Sequence, residues 1–202
     1  MNWEVIKQRV QEIQTGDATG HDFYHTLRVA AMSRRLAVCE TCNLDVVLLS
    51  AYLHDIGDHK LGYTKESRQD LLCQIMDEAK VPRPVQAAVL EVVESVSFTT
   101  GTPCRPELQT ESAIVCDADR LDAMGAIGIA RTFAYGGAKG RPIFSPSTKE
   151  NSLQHFEDKL LRLKDGMKTG KGRRLAQTRH AVLVQFVEEF KKEWNEENIE
   201  LC

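Results

Sequence analysis

Three short segments of the chain carry side chains that bind metal ions. His25 lies in the first, the adjacent pair His54 and Asp55 lies in the second, and the third is the acidic stretch at residues 117–122. Two imidazoles and two carboxylates suit a borderline divalent ion, and four protein ligands leave positions open for water and substrate. An open, water-bearing ion indicates hydrolytic chemistry.

The adjacency of His54 and Asp55 restricts the backbone that must position them. Neighbouring side chains on an α-helix point about 100° apart, so both reach one ion only near a helix end. Gly57 supplies that end, because glycine is favoured just after helix termini. The preceding residues 45–53 are apolar on nearly every face, which predicts a buried helix where a charged group needs a partner. Spacing alone leaves open a hydrogen-bonded core histidine followed by a loop acid.

Three aspartates compete for the fourth ligand position. Asp117 and Asp119 would point roughly 200° apart on a helix, so they cannot share a face. Asp122 lies three residues after Asp119, on nearly the same helical face. The periodicity therefore leaves more than one choice.

The chain resembles the HD-domain metal-dependent phosphohydrolase superfamily. The resemblance rests on residues 20–29 (GHDFYHTLRV), 53–60 (LHDIGDHK) and 117–131 (DADRLDAMGAIGIAR), and it continues through residues 155–163 and the closing helix. The match is narrower with the small stand-alone bacterial HD proteins, which include nucleoside triphosphate pyrophosphohydrolases. This resemblance implies an all-α, compact multi-helix bundle and a metal-dependent hydrolase.

The resemblance also implies a ligand set. It places the metal ligands at His25, His54, Asp55 and Asp119, with Mn, Co, Ni, Fe or Mg as the divalent ion. Asp122 would then orient a ligand or a water, and the alternative role for Asp117 is a partner for a neighbouring charge.

Two further histidines leave rival arrangements open. His21 and His25 have the His-x3-His spacing of a helical zinc site, although His21 follows Gly20 at the expected helix start and is assigned to the substrate pocket. If His21 and His59 were both ligands, the site would hold two ions, as other branches of the superfamily do.

The candidate for proton transfer is Asp58, one turn after Asp55; its alternative is a hydrogen-bonded turn acid. The candidates for substrate contact are His21 and the cationic residues near the ligands or in the basic stretch, which are Arg28, Lys60, Arg120, Arg131, Lys139, Arg141 and Lys159.

The charge distribution favours a phosphorylated small molecule as the partner. The chain carries a net charge of -3, yet residues 131–180 hold twelve Lys or Arg and four Asp or Glu. A metal on one side and cationic side chains on the other would hold a nucleotide. The pI of about 6.1 and the 6% aromatic content disfavour nucleic-acid binding.

A length of 202 residues predicts a single domain. The resemblance implies that this is an HD domain over residues 1–202, with C-terminal helices at about residues 149–197 packing on the metal-binding core. Helices are expected over residues 3–14, 21–38, 45–55, up to 79, 86–96, 111–134, 149–163 and 173–195, with loops at residues 97–106 and 136–147.

The N-terminal residues lack the apolar region of a signal peptide, and no apolar run approaches the length of about 20 residues that spans a membrane. We therefore expect a cytoplasmic protein without disulfides, in which Cys39 and Cys42 are structural. A homo-oligomer is a further expectation.

The sequence thus predicts a metal-dependent phosphohydrolase. The expected reaction is conversion of a nucleoside triphosphate to monophosphate and pyrophosphate, or hydrolysis of a nucleoside monophosphate. Two alternatives stay open: a non-catalytic regulatory protein that binds metal and nucleotide, and a di-iron oxygenase on the same fold.

Overall fold

A computed structural model of the chain describes residues 1–17, 20–57, 63–96 and 105–199. Its α-helices are α1 Trp3–Gln14, α2 Phe23–Ala37, α3 Leu44–Leu53, α4 Lys65–Glu78, α5 Arg83–Val96, α6 Gln109–Asp122, α7 Gly125–Ala138, α8 Gln154–Asp158 and α9 Gly170–Ile199. Short 3-10 helices cover Pro106–Leu108 and Leu160–Gly166. No strand occurs in these described ranges, and the predicted all-α fold is confirmed.

The described chain divides into two compact units. The first comprises residues 1–17 and 21–119 with the gaps given above, and the second comprises Gly20 and residues 120–199. The boundary falls inside α6, between Asp119 and Arg120. The single domain expected over residues 1–202 stays a prediction.

Helix α3 forms the centre of the first unit. It packs against α1, α2 and α5, and its side chains from Val46 to Ala51 are buried on every face. Asn43 caps its first turn by accepting hydrogen bonds from the N–H groups of Asp45 and Val46. The side chain of Glu111 on α6 accepts a 2.7 Å hydrogen bond from the Asn43 N–H. The buried helix predicted over about residues 45–55 is therefore present, and it ends two residues earlier than expected, at Leu53.

The second unit is built on an aromatic core. Phe156 is fully buried and its ring centroid lies 5.4 Å from that of Phe186 and 5.9 Å from that of Phe133. These rings join α7, α8 and α9. Aromatic pairs at such separations add to the free energy gained by burying their apolar area.

Two helix predictions were wrong in their extent. The continuous helix expected over residues 111–134 is split into α6 and α7, because Gly125 has φ +70 and Met124 before it is extended. Glycine adopts this left-handed conformation without steric cost, so it ends one helix and starts the next. The helix expected over residues 149–163 is limited to α8, followed by the 3-10 helix. The loop expected from residue 97 lies mostly outside the described residues.

In the described part of the chain, no helix combines the length and the apolar character that crossing a membrane requires. Cys39, Cys42, Cys73 and Cys116 are free thiols.

Candidate metal centre

Four side chains from the three predicted segments meet in the first unit. His25 Nε2 lies 3.3 Å from His54 Nε2. Asp55 Oδ2 is 3.2 Å from the His25 nitrogen and 3.4 Å from the His54 nitrogen. Asp119 Oδ1 lies 3.5 Å from His25 Nε2 and 3.8 Å from His54 Nε2. Each of the two carboxylate oxygens therefore lies close to both imidazole nitrogens.

The ring of His54 is oriented by its other nitrogen. Nδ1 lies 2.9 Å from the carbonyl oxygen of Ala51. Because a carbonyl oxygen only accepts, Nδ1–H is the donor. In the neutral imidazole, Nε2 then carries the lone pair and faces His25 and the two carboxylates. A hydrogen bond from the second ring nitrogen is the usual way in which proteins orient a metal-binding histidine.

Burial supports the same interpretation of the four groups. His25 is fully buried and His54 is 6% exposed, while the Oδ2 atom of Asp55 is buried. Burial acts to raise the pKa of Asp55, but the electrostatic interaction with His54 and the interactions with His25 and His21 outweigh it, so the pKa lies below its usual range. A carboxylate oxygen buried beside two imidazole nitrogens is the kind of environment in which a cation is bound. The donor set fits a divalent metal ion.

Local structure brings His25 to this point. Asp22 is the N-cap of α2, and its Oδ1 accepts a 2.8 Å hydrogen bond from the N–H of His25 itself. The next residue, Thr26, donates a 2.9 Å hydrogen bond to Gln14 Oε1 on α1. Aspartate is a favoured N-cap, so the start of α2 could be predicted from sequence, whereas the buried contact with Gln14 could not.

The turn after α3 carries His54 and Asp55. His54 is the C-cap, Ile56 N–H bonds the carbonyl of Leu53, and Gly57 has φ +66. The helix end predicted at Gly57 is therefore present. Arg68 on α4 donates from Nε to the Ile56 carbonyl and from a terminal nitrogen to the His54 carbonyl. Sequence reasoning missed Arg68, since nothing in the spacing of a residue on the next helix signals this contact.

The three aspartates of α6 have different environments. Asp117 is fully buried, and Asp122 accepts a 2.9 Å hydrogen bond from Arg131 in an ion pair within the second unit. Asp119, with a side chain 38% exposed, is the one that lies with the imidazoles. His25, His54 and Asp119 are thus positioned as possible ligands of one ion.

The remaining candidates in the first unit are less closely tied to these ligands. The ring of His21 lies 5.7 Å from that of His25 in an edge contact. His21 precedes the N-cap of α2, so the expected helical start at residue 21 was wrong by two positions. Arg28 lies on α2, one turn beyond His25, and is partly exposed. Asp58, His59 and Lys60 lie outside the described residues.

Two arginines that were predicted to contact phosphate form bonds to protein groups within the second unit. Arg120 donates to the carbonyl of Gly166, and Arg131 pairs with Asp122, its side chain only 15% exposed. Lys139 and Arg141 lie over the ring of Tyr135, at 5.9 Å and 5.6 Å from its centroid. These two exposed cations are therefore the better placed for a solvent-borne anion.

Lys159, the C-cap of α8, shares its surroundings with Arg141 and His155. Burial is the largest effect that lowers the pKa of His155, and the charges of Lys159 and Arg141 lower it further, against a smaller opposing effect of Asp158. His155 is therefore a neutral group beside cations near neutral pH. Sequence reasoning noted His155 only as part of the resemblance.

The lowered pKa of His155 predicts a pH dependence of stability. A histidine whose pKa is lower in the folded state binds fewer protons there than in the unfolded state. Its contribution to the free energy of unfolding is therefore complete above the ordinary pKa of about 6.5 and is lost as the pH falls below that value. Urea unfolding of the metal-free protein between pH 5 and 8 should show a smaller loss of stability on the acid side for His155→Asn than for the wild type. Identical slopes would contradict this assignment.

The comparisons with known proteins agree with this fold. The HD domain family matches residues 22–124, the range that contains all four converging side chains. The chain belongs to the HD-domain family.

Individual relatives extend the match to nearly the whole chain. YpgQ of Bacillus subtilis (strain 168), itself described as uncharacterized, is 36% identical over 191 residues, which are 94% of this chain and 92% of that protein. The crystal structure of YpgQ in complex with ADP superposes with a TM-score of 0.79 at 31% identity, covering 94% of this chain and 96% of that one.

Two further solved structures are similar. One is an HD-superfamily hydrolase from Bacillus thuringiensis, with a TM-score of 0.76, 40% identity and coverage of 95% and 96% of the two chains. The other comes from Lactobacillus plantarum, with a TM-score of 0.82, 32% identity and coverage of 96% of each chain.

Proposed function

We propose that the protein is a metal-dependent phosphohydrolase that acts on a nucleotide. The observation that carries this proposal is the convergence of His25, His54, Asp55 and Asp119, with one imidazole oriented by a backbone carbonyl. These four residues would hold the ion. Mixed nitrogen and oxygen ligands suit Mn, Co, Ni or Fe, and Mg is compatible with the carboxylates.

A divalent ion held by this set would polarise a phosphoryl oxygen and lower the pKa of an attacking water. The protein side chains around it would orient the substrate and transfer protons. His21, at the edge of the His25 ring, is proposed to contact the substrate. Asp58, which lies outside the described residues, remains the proposed acid for proton transfer with the water or the leaving group.

Two observations support a nucleotide as the substrate. The relative YpgQ has been crystallised with ADP, and residues 131–180 of this chain are strongly basic. Among these cations, Lys139, Arg141 and Lys159 are our proposed phosphate contacts. Lys60, and Arg28 one turn beyond His25, are further candidates.

A substrate panel tests the proposal directly. The purified protein is incubated with nucleoside mono-, di- and triphosphates and with simple phosphate esters, in the presence of Mn²⁺, Co²⁺, Ni²⁺ or Mg²⁺. We expect turnover with at least one nucleotide and its loss on chelation, while the His54→Ala protein serves as the control for contaminating phosphatases. Bound metal without turnover across the whole panel would favour the regulatory alternative. A redox-active bound metal, together with oxygen consumption by the protein, would favour the oxygenase.

For a triphosphate we propose attack at the α-phosphorus with release of pyrophosphate. Cationic side chains that bind the β- and γ-phosphates would stabilise the charge that develops on this leaving group. Phosphorus NMR of a reaction in ¹⁸O-water distinguishes the positions of attack. Label in the monophosphate is the expected result, whereas label in orthophosphate would indicate attack at a terminal phosphoryl group.

A further inference from the structure

The turn at residues 54–57 must keep a specific backbone shape for the metal centre to exist. On a regular helix the side chains of His54 and Asp55 would diverge by about 100°. In the structure, Asp55 Oδ2 instead lies 3.4 Å from His54 Nε2. The regular helix ends at Leu53, His54 keeps helical dihedrals, and the chain turns through a hydrogen bond from Ile56 N–H to the Leu53 carbonyl and through Gly57 at φ +66.

One side chain from another helix holds this turn. The guanidinium of Arg68 donates a 3.0 Å hydrogen bond to the carbonyl of Ile56 and a 2.5 Å hydrogen bond to the carbonyl of His54. These two carbonyls belong to the His54–Asp55 and Ile56–Gly57 peptide units, so α4 holds the backbone directly before Asp55 and again one residue after it. Both carbonyls lie beyond Leu53, the last residue of α3, and at a helix end such groups are commonly satisfied by side chains.

The fit of Arg68 to the turn depends on Gly57. A Cβ atom at position 57 would lie 3.0 Å from Cγ and 3.4 Å from Cα of Arg68, and φ at this residue is +66. Glycine thus serves both the left-handed conformation and the close approach of the arginine. Gly57, which follows α3, and Arg68 on α4 therefore fit against each other.

The chemistry of the contact requires arginine. A guanidinium is planar and presents several N–H donors in a rigid fork, whereas an ammonium is a compact point charge on a flexible stem. A cation at this position also stabilises the negative end of the α3 dipole. Arginine can therefore bond two carbonyls at once and fix their relative orientation.

We propose that Arg68 is a positioning residue for the metal centre, which it serves by fixing the backbone around His54 and Asp55. The inference rests on the metal centre of the proposed function. Arg68 itself is not proposed to contact the ion or the substrate. Its effect is on metal affinity, because a loosened turn lets two of the four ligand atoms drift apart.

The second unit offers a matched control. Arg173 donates from one terminal nitrogen to the carbonyls of Met167 and Lys168, at 3.3 Å and 2.8 Å. It therefore also bonds two carbonyls of one turn, and removing it costs a comparable contact. Arg173 lies in the second unit, whereas the four ligands belong to the first.

The test measures Mn²⁺ affinity by calorimetry and the absorbance spectrum of the Co²⁺-loaded protein for wild type, Arg68→Ala, Arg68→Lys and Arg173→Ala. Loss of a group that orients metal ligands lowers affinity by about 10- to 100-fold, and we expect this loss in Arg68→Ala together with a changed Co²⁺ spectrum. Arg68→Lys should bind more weakly than wild type. Arg173→Ala should lower the melting temperature but keep the wild-type affinity and spectrum.

Each outcome decides the question. Wild-type affinity and spectrum in Arg68→Ala would overturn the inference and leave the proposed function intact. If Arg68→Ala does not fold, wild-type affinity in Arg68→Lys overturns it. An equal loss in Arg173→Ala would show a general effect of stability and would also overturn it. A wild-type protein that binds no divalent ion would overturn the proposed function, and the inference with it.

Discussion

Substitution of His54 by Ala is expected to reduce divalent metal affinity by more than about 100-fold, the upper end of the effect seen for groups that only orient ligands. The change removes a nitrogen that lies within 3.8 Å of the other donor atoms. The measurement is the thermal shift on adding Mn²⁺. Saturating metal at about 100 times its dissociation constant stabilises a protein by about 2.7 kcal/mol, or roughly 5–11 °C for a chain of this length. The wild type should show this shift and the variant should not.

Two controls separate metal binding from a general loss of structure. His180→Ala removes a histidine on α9 in the second unit and should keep the full metal-dependent shift. Asp122→Ala removes the partner of Arg131 and should lower stability while metal still binds. Full metal occupancy in His54→Ala would contradict the proposed metal centre. If Asp122→Ala lost metal and Asp119→Ala kept it, our choice among the three aspartates would be wrong.

The composition of the site could be predicted because it depends on residue types and local order. An imidazole-carboxylate pair next to Gly57 can converge only at a helix end, and α3 ends at Leu53 with Gly57 at φ +66. Asp22 is a strong N-cap directly before His25. These relations act over a few residues, so the printed sequence contains them.

The contacts that hold the ligands in place could not be predicted in the same way. Arg68 binds the turn of residues 54–57 from a different helix, and Thr26 bonds Gln14 on α1. Both depend on which helix faces lie together, which no local pattern specifies. The break at Gly125 was also missed, because small residues on both sides continue a helical pattern and one glycine is tolerated within a helix.

The number of charges does not show which cations bond protein groups and which face solvent. Arg120 and Arg131 were predicted to contact phosphate because they lie close to the ligands or within the basic stretch. In the structure Arg120 bonds the carbonyl of Gly166, and Arg131 pairs with Asp122. Arginine often satisfies backbone carbonyls and buried acids, and a net charge does not reveal which cations are used in this way. Lys139 and Arg141 remain exposed.

The substitution Phe156→Ala should have the largest effect on stability. Phe156 is fully buried between Phe133 and Phe186, and truncation of a buried phenylalanine costs about 3–5 kcal/mol through lost burial and the cavity left behind. For a chain of this length the melting temperature should fall by roughly 6–20 °C. A fall of less than about 2 °C would contradict the central place of this ring in the second unit.

The same variant tests the predicted single domain, because each unit contains one tryptophan. Trp3 lies on α1 in the first unit and Trp194 on α9 in the second. In a Trp3→Phe background fluorescence reports the second unit, and in a Trp194→Phe background it reports the first. Helix α6 runs unbroken across the boundary between Asp119 and Arg120. Unfolding of one unit would therefore leave one end of this helix, which carries the proposed metal ligand Asp119, without support. We therefore expect Phe156→Ala to lower both transitions together. A first-unit transition that keeps its wild-type temperature, with metal still bound, would show two independently folding domains and overturn the single-domain prediction.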